Sequence, residues 1–296
     1  MPDASSALDA PALDATALER ADGAARLDWV QDGLQTRIGA LYQRAPARVL
    51  FPAPAPDRPA EAVLVNTAGG IAGGDRIQVE ICAGTGTTAL VTTAAAEKIY
   101  RARPLDAAAR LETRVEVAAG AWFEWLPQET ILYDGARLDR RLAFALAPGA
   151  RLLAAETVLF GRAAHGEQMR HGQLLDSWAL RIDGRLVWAD RLRLDGDITA
   201  ALGRPFGFGG AVGLTTIVHA GPDAASFLPQ AREIAAAAGA RGAGAEGAAT
   251  LVNGVLLLRF LSRDGARLRQ AAATAAMTLR HEITGLARTP PGVWRT

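Results

Sequence analysis

From Leu27 to about Val218, apolar residues recur in short runs with a period of two. Ile77, Val79 and Ile81 alternate with polar neighbours, Leu111, Val115 and Val117 do so less regularly, and Leu142, Phe144 and Leu146 repeat the pattern. That period, broken by Gly and Pro, marks half-buried strands. A small-residue turn recurs between apolar runs at Ala83-Gly84-Thr85, Ala119-Gly120-Ala121 and Pro148-Gly149-Ala150, spaced by 36 and 29 residues. A strand–turn–strand unit used three times predicts stacked hairpins in a large sandwich or a solenoid-like sheet. Each second strand ends near a carboxylate: Glu97, Glu129 and Glu156.

The pattern changes after Gly221. Pro222 and Asp223 open a predicted helix with Phe227, Leu228, Ala231, Ile234 and Ala235 on one face, and Gly239 stops it near Ala238. Strands follow at Thr250–Val252 and Val255–Leu261. A second helix begins near Asp264, with Leu268, Ala272, Ala275, Leu279 and Ile283 at helical spacing and Gly285 after it. The expected fold is mainly β: a multi-stranded sandwich or stacked-sheet body over 26–220 with a small αββα subdomain over 221–286. Residues 1–25, rich in Ala, Asp and Ser, read as a mobile leader. The Pro-rich tail, 287–296, is expected to dock through Trp294.

Composition narrows the function classes. Basic and acidic residues nearly cancel, 32 against 31, for a net charge of +1. That is no polyanion-binding excess, so neither nucleic acid nor a membrane surface is an expected partner. One cysteine, Cys82, excludes a disulfide framework and any CxxC site, and four histidines are too few for a metal store. Cys82 sits in a strand with no base nearby and reads as a buried, inert thiol. No run approaches the roughly 20 apolar residues of a membrane span, and no signal-peptide pattern opens the chain, so a cytoplasmic location is expected. Every basic residue but Lys98 is arginine, and alanine inflates the 50% hydrophobic fraction; both reflect codon usage more than chemistry.

Three constellations carry candidate chemistry. The first is Asn66-Thr67-Ala68-Gly69-Gly70-Ile71-Ala72-Gly73-Gly74-Asp75. No Gly-Lys-Ser/Thr follows it and the next segment alternates as a strand, so no helix N-terminus is available for a phosphate. The glycines read as a tight irregular turn, a firm platform for Asp75. The second is His165, Glu167, Met169 and His171, which share a face if the segment is a strand. They resemble a 2-His-1-carboxylate set. Same-strand neighbours, however, stand about 7–13 Å apart, so a solvated strand face is the competing reading. The third is the set of strand-end carboxylates Asp75, Glu97, Glu129, Asp134, Glu156 and Asp190. Those that interrupt apolar runs must be paired, protonated or metal-bound once buried.

Together these motifs resemble the UreD (UreH) family of urease accessory proteins. The resemblance rests on the double-glycine segment ending in Asp75, on Thr92-Thr93-Ala94-Ala95-Ala96-Glu97-Lys98-Ile99-Tyr100-Arg101, on Glu124-Trp125-Leu126-Pro127-Gln128-Glu129, and on Leu159-Phe160-Gly161-Arg162 with Gly166-Glu167. It extends from about Leu27 to Trp294. It implies a β-dominated, non-enzymatic nickel-insertion chaperone that docks with UreF and the GTPase UreG on the urease apoprotein, with two copies bridged by a UreF dimer. It also implies an interior nickel path and carries tunnel carboxylates over to Asp75, Glu156 and Asp190. At Glu97 the family often has serine, and His171 matches a histidine of some relatives while His165 does not. The usual ending Pro-Arg-Val-Trp reads Pro291-Gly292-Val293-Trp294 here.

A carrier that must release Ni²⁺ is better served by spaced oxygen ligands than by thiolates or clustered imidazoles. The leading reading is therefore a scaffold and nickel conduit with no permanently bound cofactor, through which Ni²⁺ passes by way of Asp75, Glu156, Asp190, Glu97 and His171. Two alternatives compete: a metal-dependent hydrolase using His165, Glu167 and His171, and a purely structural adaptor. The apolar face of the second helix (Leu268, Leu279, Ile283) reads as core in preference to a UreF-binding surface.

Overall fold

The structure, a computed structural model, describes residues 19–55, 57–240 and 244–295. The alternating segments are strands. In order they are β1 (Asp22–Asp32), β2 (Gln35–Arg44), β3 (Ala47–Leu50), β4 (Ala60–Asn66), β5 (Arg76–Ala83), β6 (Thr88–Thr93), β7 (Glu97–Ile99), β8 (Ala109–Val117) and β9 (Trp122–Trp125). There follow β10 (Thr130–Leu132), β11 (Arg137–Leu146), β12 (Arg151–Phe160), β13 (His171–Ile182), β14 (Arg185–Asp197), β15 (Gly213–Ala220), β16 (Glu246–Val252) and β17 (Val255–Ser262). The helices are α1 (Ile198–Leu202), α2 (Leu228–Ala238) and α3 (Gly265–Thr284).

Seven strands form one sheet in the order β14-β13-β11-β8-β5-β1-β2, and ten form the other, β16-β17-β15-β12-β9-β6-β4-β3, with β10 beside β12 and β7 beside β10. The mainly β, stacked-sheet expectation holds. The stacked hairpins do not. The two strands of each repeated unit, β5–β6, β8–β9 and β11–β12, lie in different sheets, so each turn is an arch between layers. Successive units pair in parallel: Ala83 stands beside Val117 and Val117 beside Leu146, while across the arch Thr88 stands beside Trp122 and Trp122 beside Arg151. The repeat is thus 34 and then 29 residues, and the equivalent glycines are Gly86, Gly120 and Gly149 at φ 71°, 69° and 77°. Each arch is closed by one i to i−3 bond: Thr87 N–H to Gly84 O, Ala121 N–H to Ala118 O and Ala150 N–H to Ala147 O. Both strands of a unit carry an inward apolar row, and only opposed layers let those rows meet.

The inter-sheet core contains Leu27, Trp29, Ile81, Phe123, Phe144, Leu152 and Trp178. A second core lies between the ten-stranded sheet and α2 and α3, and a third, with Ile99, Leu132, Leu138, Phe160 and Met169, fills the far end of the sandwich. Five of the six tryptophans are buried. Leu268, Leu279 and Ile283 of α3 point into the second core, as expected for packing.

The αββα order of the C-terminal unit is present, and its hairpin extends the body's own sheet through β17–β15 pairing from Ser262 beside Gly213 to Leu256 beside His219. The first helix starts later than expected: a 3-10 turn covers Ala224–Phe227 before α2. Asp264 caps α3 by accepting from Ala266 N–H and Arg267 N–H, and Gly285 ends it at φ 74°. Of the expected leader, 1–18 lie outside the described residues, and Asp22–Ala25 are instead the start of β1, with Ala24 and Ala25 buried. Trp294 docks as expected, its indole N–H donating to Thr92 Oγ1 at 2.9 Å. Among the described residues no helix is long and apolar enough to cross a membrane.

Candidate functional site

Two rows of the second sheet are interrupted at the same level. β6 ends at Thr93 and resumes as β7 at Glu97; β9 ends at Trp125 and resumes as β10 at Thr130, whereas β12 runs unbroken past both. Pro127 has no N–H for the ladder, which is why a strand stops there. Gln128 covers the break: its side-chain amide donates to Thr93 O and Ala94 O at 3.3 and 2.9 Å, and its N–H donates to Thr93 Oγ1 at 2.9 Å. Glu156 stands on β12 opposite this gap, between Ala154 beside Trp125 and Val158 beside Thr130.

A cavity of about 180 Å³ occupies the space between the sheets here, well above the roughly 10–15 Å³ that one water needs. Thr93, Glu97, Gln128, Thr130 and Glu156 line it from the broken sheet, and Thr113 and Arg140 from the other. Arg140, 4% exposed, sits on the inward row of β11 where the strand period demands an apolar residue. Its Nε and Nη2 clasp both oxygens of Asp176 at 2.9 and 2.7 Å, and its Nη1 donates to Glu156 Oε2 and to Thr130 Oγ1. The other oxygen of Glu156 accepts from Trp125 Nε1 at 2.8 Å. Burial disfavours the Arg140 charge, but Asp176 and Glu156 outweigh it and raise the guanidinium pKa.

Glu97 enters from the other interrupted row. Asn66 Nδ2 donates to Glu97 Oε1 at 3.0 Å and to Gly70 O at 3.2 Å, so the double-glycine segment positions the carboxyl. Gly70 has no room for a side chain: a Cβ would lie 2.4 Å from the Tyr100 ring. Burial pushes Glu97 up to about 7, against the opposing pull of Asn66, the backbone N–H of Lys98 and the Lys98 charge. Glu97 and Glu156 therefore face a single cavity, burial raising the pKa of both and Arg140 and the Trp125 indole opposing it at Glu156.

The pattern of the family described as UreD urease accessory protein matches residues 21–295 of the chain. The chain belongs to the UreD urease accessory protein family. A protein from Magnetococcus marinus named urease accessory protein UreD is 44% identical over 268 residues, covering 90% of this chain and 92% of that one. Its namesake from Rhodopseudomonas palustris strain HaA2 is 49% identical over 251 residues, 84% and 86% of the two chains. One from Methylobacterium sp. strain 4-46 is 45% identical over 269 residues, 89% and 90%.

Of the five residues that the UreD resemblance and the carboxylate pattern single out, the structure brings two, Glu97 and Glu156, to the cavity. The other three lie elsewhere. Asp75 is buried, but its oxygens are taken by Ala21 N–H and Ala72 N–H at 2.9 and 2.8 Å, and it closes the turn that launches β5. Asp190 lies on β14, the edge of the first sheet, and pairs across to Arg259 of β17 in the second at 2.5 Å. His171 is exposed at the start of β13 and lines a separate cleft with Arg101, Arg103 and Arg137.

The histidine strand is not formed. Ala163–His165 is a 3-10 turn, Glu167 pairs with Arg162 at 2.6 Å, Met169 is buried, and a strand begins only at His171. Gly166 adopts φ 70° after the turn, which ends any period-two register. The hydrolase reading loses its constellation with it, and among the described residues no three His, Cys, Asp or Glu side chains cluster as a metal site. Glu129 is buried beside Arg269 at 3.5 Å, and Asp134 accepts from Arg170 N–H and His171 N–H at 2.8 and 3.0 Å. Cys82 is exposed, contrary to expectation, because it occupies the outward phase of β5. Partial burial and the carboxylates of Asp28, Glu116 and Glu80 raise its thiol pKa, so it stays poorly nucleophilic.

The sequence reasoning missed Arg140, Asp176 and the fully buried pair Glu124–Arg280, in which Arg280 grips both carboxylate oxygens at 2.6–3.1 Å. A signal was present. Leu138-x-Arg140-x-Leu142 and Leu174-x-Asp176-x-Trp178 put a charge on the inward phase of an alternating strand.

Proposed function

We propose that this chain is a non-catalytic urease-maturation chaperone that serves as scaffold and conduit for Ni²⁺. In this reading it docks with UreF and the GTPase UreG on the urease apoprotein, two copies being bridged by a UreF dimer, and works in the cytoplasm. The observation that carries the reading is the cavity at the break in the second sheet, where Glu97 and Glu156 share one space. Two oxygen donors from different strands hold a hydrated divalent cation weakly and release it, whereas a closed set of soft ligands would keep it. Asp75 and Asp190, each held by hydrogen-bond or ion-pair partners, and His171, exposed on a separate cleft, stand outside this cavity.

The test is nickel content of urease matured in cells that express the accessory proteins with Glu156→Gln or Glu97→Gln. Each variant should fold, assemble with UreF and UreG, and lower nickel per urease active site by at least about threefold, a loss of roughly 0.7 kcal/mol or more in effective delivery. Full occupancy with both variants would leave the chain a structural adaptor.

A further inference from the structure

We propose that Arg140 is an internal counter-ion that competes with the cargo cation for Glu156 and so sets how loosely the cavity holds it. The claim rests on the conduit reading above and concerns the control of that same site.

Each oxygen of Glu156 already accepts one strong hydrogen bond in this arrangement. Oε1 is held by the Trp125 indole and Oε2 by Arg140 Nη1. A divalent cation that engages Glu156 Oε2 must therefore share that oxygen with the Arg140 guanidinium or displace it. Arg140 does not lose its charge partner when Nη1 lets go, because Asp176 holds its other two nitrogens. The guanidinium and the cation are like charges in a site screened from solvent, where repulsion over a few ångströms far exceeds its value in water. The cation therefore binds against the cost of displacing Arg140, and the returning guanidinium restores the ion pair when the cation leaves. Asp176 shares the guanidinium with Glu156; the more firmly Asp176 holds it, the more available Glu156 becomes. With both carboxylates ionised, the cluster of one cation and two carboxylates carries net charge −1, which attracts a divalent ion without the full pull of two free carboxylates. Thr130 Oγ1, which accepts from the same Nη1 at 3.1 Å, supplies a further oxygen at the cavity wall once Arg140 has moved.

The experiment is equilibrium dialysis of the full chain with Ni²⁺, paired with nickel counts in co-expressed urease. Arg140→Met should tighten Ni²⁺ binding by about tenfold or more and lower urease nickel, since the ion is retained. Arg140→Lys keeps the charge and should leave affinity within about twofold of the parent, which separates charge from mere enlargement of the cavity. Asp176→Asn gives Arg140 wholly to Glu156 and should weaken binding by about threefold or more. The double variant Arg140→Met with Glu156→Gln should lose the tightening.

Unchanged or weaker binding by folded Arg140→Met overturns the proposal. If that variant fails to fold, unchanged or tighter binding by Asp176→Asn overturns it instead. The two readings fail separately. If Glu156→Gln lowers urease nickel but neither Arg140→Met nor Asp176→Asn moves the affinity, the conduit stands and the counter-ion role falls. If Glu156→Gln changes neither affinity nor urease nickel, the counter-ion role falls, and if Glu97→Gln also leaves urease nickel full, the conduit itself falls.

Discussion

Glu97 and Glu156 are side chains of the same type, one opening β7 and the other inside β12, and their partners make them different groups. Glu156 is matched by a guanidinium and an indole N–H. Glu97 has Asn66 as its side-chain donor, and burial lifts its pKa to about 7 from 4.5. The folded state therefore binds more protons than the unfolded state between those values, and stability falls as pH rises from about 4.5 through 7. Glu97→Gln should abolish that slope, leaving stability near the parent's at pH 4.5 and up to about 3 kcal/mol higher at pH 8. Urea titrations at the two pH values read the difference; parallel losses in both proteins would show that Glu97 does not titrate with folding. Both glutamates are legible in the sequence because they end or interrupt apolar runs. Arg140 and Asp176 are harder to see, since a lone charge in an alternating strand reads as an irregularity until the opposite charge is known to sit beside it.

At the scale of elements, the strands and α3 follow from periodicity and capping residues, which act over a few neighbours. The arches do not. A Gly-containing turn between two apolar runs is compatible with a hairpin or with a step between layers, and local residues favour both alike. What separates them is which strand pairs with which, a contact some 30 residues away. Gly149 and Gly84 show how differently two turn glycines matter. Gly149 has φ 77° and open space around a hypothetical Cβ, so Gly149→Ala carries only the left-handed backbone cost, about 1–2 kcal/mol. At Gly84 a Cβ would stand 2.7 Å from the carbonyl oxygen of Trp29 in β1. Backbone cannot yield as a side-chain tip does, so Gly84→Ala should cost more than Gly149→Ala, about 2–4 kcal/mol. Chemical denaturation of the two variants gives the order directly, and the reverse order would refute the arch geometry at this corner.

At the scale of the molecule, one buried pair ties the helical layer to the sheets. Glu124 of β9 and Arg280 of α3 are 0% and 2% exposed and separated by 156 residues. Arg280 also donates to the carbonyls of Ala287 and Thr289, and Arg58 donates to those of Thr289 and Pro290. The tail that carries Trp294 is thus held by Arg280, which also serves the core, and by Arg58. Arg280→Met strands a buried carboxylate and should cost about 3–5 kcal/mol, with a shift in Trp294 emission as the tail loosens. Adding Glu124→Leu should recover much of that loss, because an apolar pair needs no desolvation of charge. Denaturation followed by tryptophan fluorescence checks both outcomes.

The sequence by itself determined the mainly β character, the threefold unit, the C-terminal element order, the docking of Trp294 and the family, because periodicity, turn residues and contiguous motifs are local. It also marked the carboxylates that had to be explained. Only the tertiary structure decided that the units are arches, that two sheet rows break together opposite Glu156, and that Glu97 shares its cavity while Asp75, Asp190 and His171 lie outside it. Those outcomes depend on partners tens of residues apart, and a charge's role is fixed by what stands across from it after packing.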